Sequence, residues 1–131
     1  MSRRKIREQI FKMLFQLEFH EKQEFELQLG LFMEELEEPD EKKRAYMEQK
    51  LRSIYEHMDE IDGIINEKSV GWKTTRMAKV DLALIRLAVY EMKYEKGMPT
   101  GVAINEAVEL AKIYSSDGPP SFVNGVLAKL V

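Results

Sequence analysis

The sequence contains no cysteine, which excludes a disulfide framework, a thiolate nucleophile and any cysteine-ligated zinc or iron-sulfur site. A reducing cytosol suits such a chain. Histidine is nearly as scarce, with only His20 and His57 in 131 residues. A carboxylate-bridged metal pair needs Glu and Glu-x-x-His motifs on four facing helices, and His57 with Glu60 offers that spacing once, in reversed order. His20, near the end of the first helical segment, reads instead as a cation complementing the helix dipole. The glycines at 97, 101, 118 and 125 are too dispersed for a phosphate loop or a dinucleotide fingerprint. No uncharged apolar run approaches the roughly 18 residues of a membrane span, and no apolar h-region follows the basic N-terminus. These absences predict a soluble, cytoplasmic protein that is not an enzyme and carries no metal or cofactor.

What is present is a chain of 44% apolar content, enough for one core-forming domain. Its periodicity is helical throughout, with no sustained alternation, so an all-α fold is predicted. A first helix over about 4–20 turns Ile6, Ile10, Met13, Leu14 and Leu17 toward a core. A second, over about 23–36, stops before Glu38-Pro39-Asp40. The third segment, about 40–67, is read as one helix that Gly63 bends or splits. After Gly71 and Trp72, an N-cap near Thr74 or Thr75 opens a helix over about 76–96 that is apolar almost all round and belongs at the centre of its bundle. Residues 102–114 form an amphipathic helix, and a short last helix begins near Ser121. Two helical subdomains would meet near residue 72, over about 1–70 and 71–131.

Net charge is −3, which argues against a nucleic-acid binder until its distribution is considered. Four of the five residues at positions 3 to 7 are basic, namely Arg3, Arg4, Lys5 and Arg7, while positions 34 to 41 hold six acids. The basic run leads into a helix on which Phe11, Phe15 and Phe19 share one arc. Cations beside aromatic planes suit single-stranded RNA. Two readings of the run stay open, a solvated basic tail or an RNA contact. Phe11 and Phe19 read as core residues, and Phe15 as the candidate for an exposed stacking surface. Catalysis has no visible apparatus, because the paired carboxylates belong to an acidic surface stretch.

Three further blocks carry a family resemblance: Val80-Asp81-Leu82-Ala83-Leu84-Ile85-Arg86-Leu87-Ala88-Val89-Tyr90-Glu91, then, after Pro99, Val102 to Lys112 with Asn105-Glu106-Ala107 at its centre, then Phe122-Val123-Asn124-Gly125-Val126-Leu127. With the arginine-rich start, their order and spacing resemble those of the NusB family of transcription antitermination factors. The resemblance implies an all-α, NusB-like helical bundle of two three-helix subdomains. It also implies binding of boxA-type single-stranded RNA together with NusE, a small-subunit ribosomal protein, and service in an RNA polymerase antitermination complex during ribosomal RNA transcription. The RNA contacts it implies are Arg3, Arg4, Lys5, Arg7, Phe15, Asp117 and Phe122, and Asp81 falls at a NusE contact. A homodimer stays open, since some members of the family dimerise through the RNA face. So does a protein-only adaptor with no direct RNA contact. NusB-like domains fused to RNA methyltransferases are a further relative, for which this chain has no cofactor domain.

Within these blocks Arg86 is a charge in an apolar helix and is expected to pair with Glu106 or Glu109, or to face NusE. Asn105 and Asn124 are read as hydrogen-bonding backbone at helix ends, and Gly125 as permitting close helix approach. Gly118-Pro119-Pro120-Ser121 departs from the family, whose loop often has a basic residue there.

Overall fold

The computed structural model describes residues 1–69, 71–115 and 120–131, the side chains of Pro120 and Ser121 excepted. Among the described residues the secondary structure is entirely helical: α1 Arg3–Leu17, α2 Phe25–Glu35, α3 Glu41–Glu56, α4 Met58–Lys68, α5 Lys79–Tyr94, α6 Thr100–Tyr114 and α7 Pro120–Ala128, with 3-10 turns at Lys22–Glu24 and Thr74–Arg76. The chain divides into two compact units, Met1–Glu56 and His57–Val131.

In the first unit α1, α2 and α3 pack on one another. The arc read from the sequence is the buried one: Ile6, Ile10, Met13, Leu14 and Leu17 of α1 are buried, as are Leu29 of α2 and Met47, Leu51 and Ile54 of α3. Each such side chain contributes about 1.5–3 kcal/mol of burial free energy. Phe25 lies flat on Tyr55, ring centroids 4.1 Å apart. Asp40 caps α3, its Oδ1 accepting from the Lys42 N–H at 2.9 Å, while Pro39 beside it keeps α2 from continuing.

In the second unit α5 packs against α4, α6 and α7, and α6 against α7. The predicted all-round burial of α5 is present, from Leu82 through Tyr90 with Arg86 the half-buried exception. The long third segment is broken, but at His57 and not at Gly63. His57 takes φ −96° and ψ 8° between α3 and α4, and its ring packs 4.4 Å from that of Tyr94. Gly63 lies inside α4, where an added Cβ would meet nothing within 4 Å. The break coincides with this ring contact, which helical periodicity does not encode.

Arg86 also differs from expectation. Its partner is Asp62 on α4, with Nε and Nη2 donating to the two carboxylate oxygens at 2.9 and 2.7 Å. Asp62 lies in the segment that periodicity alone reads as one long helix. Asn105 and Asn124 are exposed within α6 and α7, and among the described residues neither side chain makes a hydrogen bond. At Gly125 a Cβ would find open space, so close helix approach does not explain that glycine.

Candidate nucleic-acid interface

The basic N-terminus is a docked helix start. Ser2, in extended conformation, caps α1 through the Lys5 N–H, which donates to Ser2 Oγ at 3.1 Å. The α-ammonium of Met1 pairs with Glu38 Oε1 at 2.7 Å, and Lys43 Nζ donates to the Met1 carbonyl at 2.8 Å. The α2–α3 loop that receives them is itself tied down. Arg44 donates to the carbonyls of Met33, Leu36 and Glu38 at 2.7, 3.1 and 3.3 Å, and the Asp40 N–H donates to Glu38 Oε2 at 3.2 Å. The Met1 ammonium, and after it the Asp40 amide, hold the Glu38 carboxyl below its ordinary range. Met1 thus ties the start of α1 to the α2–α3 connection and the first turn of α3.

Arg3, Arg4 and Lys5 are exposed in the first turn of α1, which contains no acid. Lys5 reaches Glu8 at 3.0 Å. Arg7 is 7% exposed, and of the four cations it is the least able to meet a phosphate. Cations in a first turn oppose the helix dipole, each by about 0.3–1 kcal/mol. The helix dipole therefore does not account for them. An anion seated there would reverse the sign, because the positive end of the dipole and the cations lie at the same helix start.

Phe15 is half-buried and Phe19 is 62% exposed, in an edge-to-face pair with centroids 5.1 Å apart. Phe11 is 2% exposed, as its core reading requires. The core reading of Phe19 is corrected. Helix α1 ends at Leu17 and the Phe19 N–H donates to the Gln16 carbonyl at 3.1 Å, so the angle extrapolated from an ideal helix no longer applies. His20 also lies beyond the helix end, its Nδ1 3.5 Å from Glu24.

On the second unit Phe122 is half-buried in α7, and its ring meets the indole of Trp72 edge-on at 5.3 Å. Trp72 is 49% exposed and was not singled out for function in the sequence. The signal was available: residues 68 to 80 hold four cations and no acid. Asp117 lies outside the described residues, as do Gly118 and Pro119 of the divergent loop. Asp81 is 5% exposed in the first turn of α5, where an acid suits the helix dipole. Its Oδ1 has no hydrogen-bond partner among the described residues.

Among the described residues no group of three His, Asp or Glu side chains is arranged to hold a metal ion. Nor is any described helix long and apolar enough to cross a membrane.

The chain matches the model of the NusB family over residues 4–131. It is similar to the transcription antitermination protein NusB of Agathobacter rectalis, with 60% identity covering 98% of each chain. Among solved structures it is similar to T. maritima NusB, at a TM-score of 0.86 and 36% identity, covering 99% of this chain and 90% of that one. It is also similar to a chain in the crystal structure of antitermination factors NusB and NusE in complex with dsRNA, at a TM-score of 0.82 and 26% identity, covering 99% and 97% of the two chains.

Proposed function

The chain belongs to the NusB family, and on that premise we propose that it is a transcription antitermination factor working by recognition: it binds boxA-type single-stranded RNA together with NusE and helps assemble the RNA polymerase antitermination complex during ribosomal RNA synthesis. The observation that carries the RNA part is the start of α1. Three exposed cations occupy an acid-free, anchored first turn, followed on the same segment by the Phe15–Phe19 pair. Exposed cations followed by an aromatic pair on one segment are what an unstacked RNA strand requires.

In this mechanism Arg3, Arg4 and Lys5 neutralise phosphates while Phe15, with Phe19 against it, presents the stacking plane. Arg7, being buried, supports the helix start more than it meets the strand. Phe122 and Asp117 contribute from the second unit, and Asp81 offers its unpaired oxygen to NusE. The docked N-terminus favours this reading over a protein-only adaptor, which would leave the basic run a solvated tail.

A titration of labelled boxA-type RNA against the chain and NusE, repeated over a range of salt, tests the proposal. Neutralising about three phosphates of a single strand gives a slope of roughly −2 in log K against log salt. Binding that is independent of salt, or unchanged by Arg3→Glu with Arg4→Glu, would exclude the α1 cations.

A further inference from the structure

The indole of Trp72 has no part in the core of its unit. It is the sole tryptophan and stands 49% exposed, although a side chain of that size is highly buried on average. Its mount is rigid. The Trp72 N–H donates to the Ser69 carbonyl at 3.2 Å and the Arg76 N–H to the Lys73 carbonyl at 2.9 Å. The Thr74 N–H donates to Asn66 Oδ1 at 2.8 Å, and Thr74 is buried. Gly71, at φ +85°, makes the reversal that delivers the ring, a conformation that side-chain-bearing residues resist.

The interplanar angle between Trp72 and Phe122 is 76°, so the two rings form a right-angled corner. A flat apolar group can lie on one ring while its edge meets the other. The segment that carries the indole has charge of one sign. Lys68, Lys73, Arg76 and Lys79 all fall between residues 68 and 80, all are exposed, and no acid interrupts them in a chain whose net charge is −3. A flat π surface carried on a segment of exposed cations is matched by an unpaired nucleobase between two phosphates.

We propose that Trp72 is an RNA-stacking residue, a second platform on which one base of the bound strand lies, with Lys73, Arg76 and Lys79 meeting the flanking phosphates. The proposal rests on the reading above that the chain binds RNA.

The tryptophan reports on its own occupancy. The full chain with NusE is titrated with boxA-type single-stranded RNA while RNA anisotropy and indole emission are recorded, and a titration of NusE alone is subtracted. A stacked base quenches the indole along the same isotherm as the anisotropy. Trp72→Ala should weaken RNA binding about 5- to 150-fold, whereas Trp72→Phe retains most of the affinity. An unchanged urea midpoint for each variant confirms that the fold is intact. If wild-type RNA binding is normal but the emission does not move and Trp72→Ala binds as well as wild type, the platform is refuted and the antitermination reading stands. If wild type shows no anisotropy change at any salt, both fall together. Quenching by NusE without RNA, with Trp72→Ala losing NusE and not RNA, would make the corner a protein contact and overturn the proposal.

Discussion

Replacing Asp62 by Asn tests the joint between α4 and α5. The Arg86 guanidinium forks onto both Asp62 oxygens, at 2.9 and 2.7 Å, and the two side chains are 11% and 23% exposed. Exposed pairs contribute about 0.2–1 kcal/mol, while removing one partner of a fully buried pair costs about 3–5 kcal/mol. This pair lies between those limits, the guanidinium left behind being the more enclosed partner. Asp62→Asn keeps the shape and removes the charge, so a loss of about 2 kcal/mol is expected. With a urea slope of about 1–3 kcal/mol/M, the midpoint should fall by about 1 M. The assay is urea denaturation followed by far-ultraviolet circular dichroism and by Trp72 emission, which reports from the same unit. Arg86→Met, and the double variant with Asp62→Asn, complete a cycle whose coupling should exceed about 1 kcal/mol, as contacting residues do. A further control separates burial from surface attraction: 1 M salt should leave most of this coupling in place, since ions screen enclosed pairs far less than exposed ones. An unshifted midpoint in Asp62→Asn, or additive single effects, would refute the assignment of this fork as the tie between α4 and α5.

Other perturbations read out different parts of the molecule. Arg3→Glu with Arg4→Glu should split two properties, weakening RNA binding while leaving stability equal or raised by up to about 1 kcal/mol, since acids in a first turn complement the dipole that the arginines oppose; a parallel loss of stability would contradict the dipole argument. Glu38, whose pKa is lowered in the fold by the Met1 ammonium, contributes stability above its ordinary value of 4.5 that is lost as pH falls through the lower folded value. Urea midpoints of Glu38→Gln and wild type should therefore differ at neutral pH and converge in acid, and a constant gap would be the wrong outcome. Asp81→Asn should weaken NusE binding in calorimetry with RNA affinity of the chain alone unaltered, if the unpaired oxygen receives a NusE donor; unchanged NusE affinity would return Asp81 to a helix-start role.

The parts of the fold that were legible share one property: their determinants lie within a few turns of each other. Ile6 to Leu17 declared the buried arc of α1 because helical geometry relates residues three and four apart without reference to the rest of the chain. The same local rule gave α5 its central place. It failed where a partner came from a distant segment. Arg86 could be recognised as a charge requiring a carboxylate, yet Asp62 is 24 residues away, and the choice among candidate acids depends on how helices cross. The break at His57 is of the same kind, since the ring it packs against is that of Tyr94. Phe19 failed for another reason, because a helical wheel assumes that the helix continues, and α1 ends at Leu17.

The site shows a different limit. The Arg3 to Lys5 cluster was visible as charge, but the sequence left a tail and an interface equally open. What separates them is anchoring, and the anchors are Glu38 of the α2–α3 connection with Lys43 and Arg44 of the first turn of α3, residues with no distinguishing pattern of their own. Glu38 in particular sits in the acidic run from 34 to 41, where it reads as one solvated carboxylate among six. In the fold it is 5% exposed and takes the N-terminal charge. Charge segregation along the chain thus has two consequences at once: it gives α1 a basic start, and it supplies from the acidic connection the carboxylate that holds that start in place. A uniformly basic protein of this size could attract RNA as strongly, but it would have no counter-charge with which to anchor its basic start.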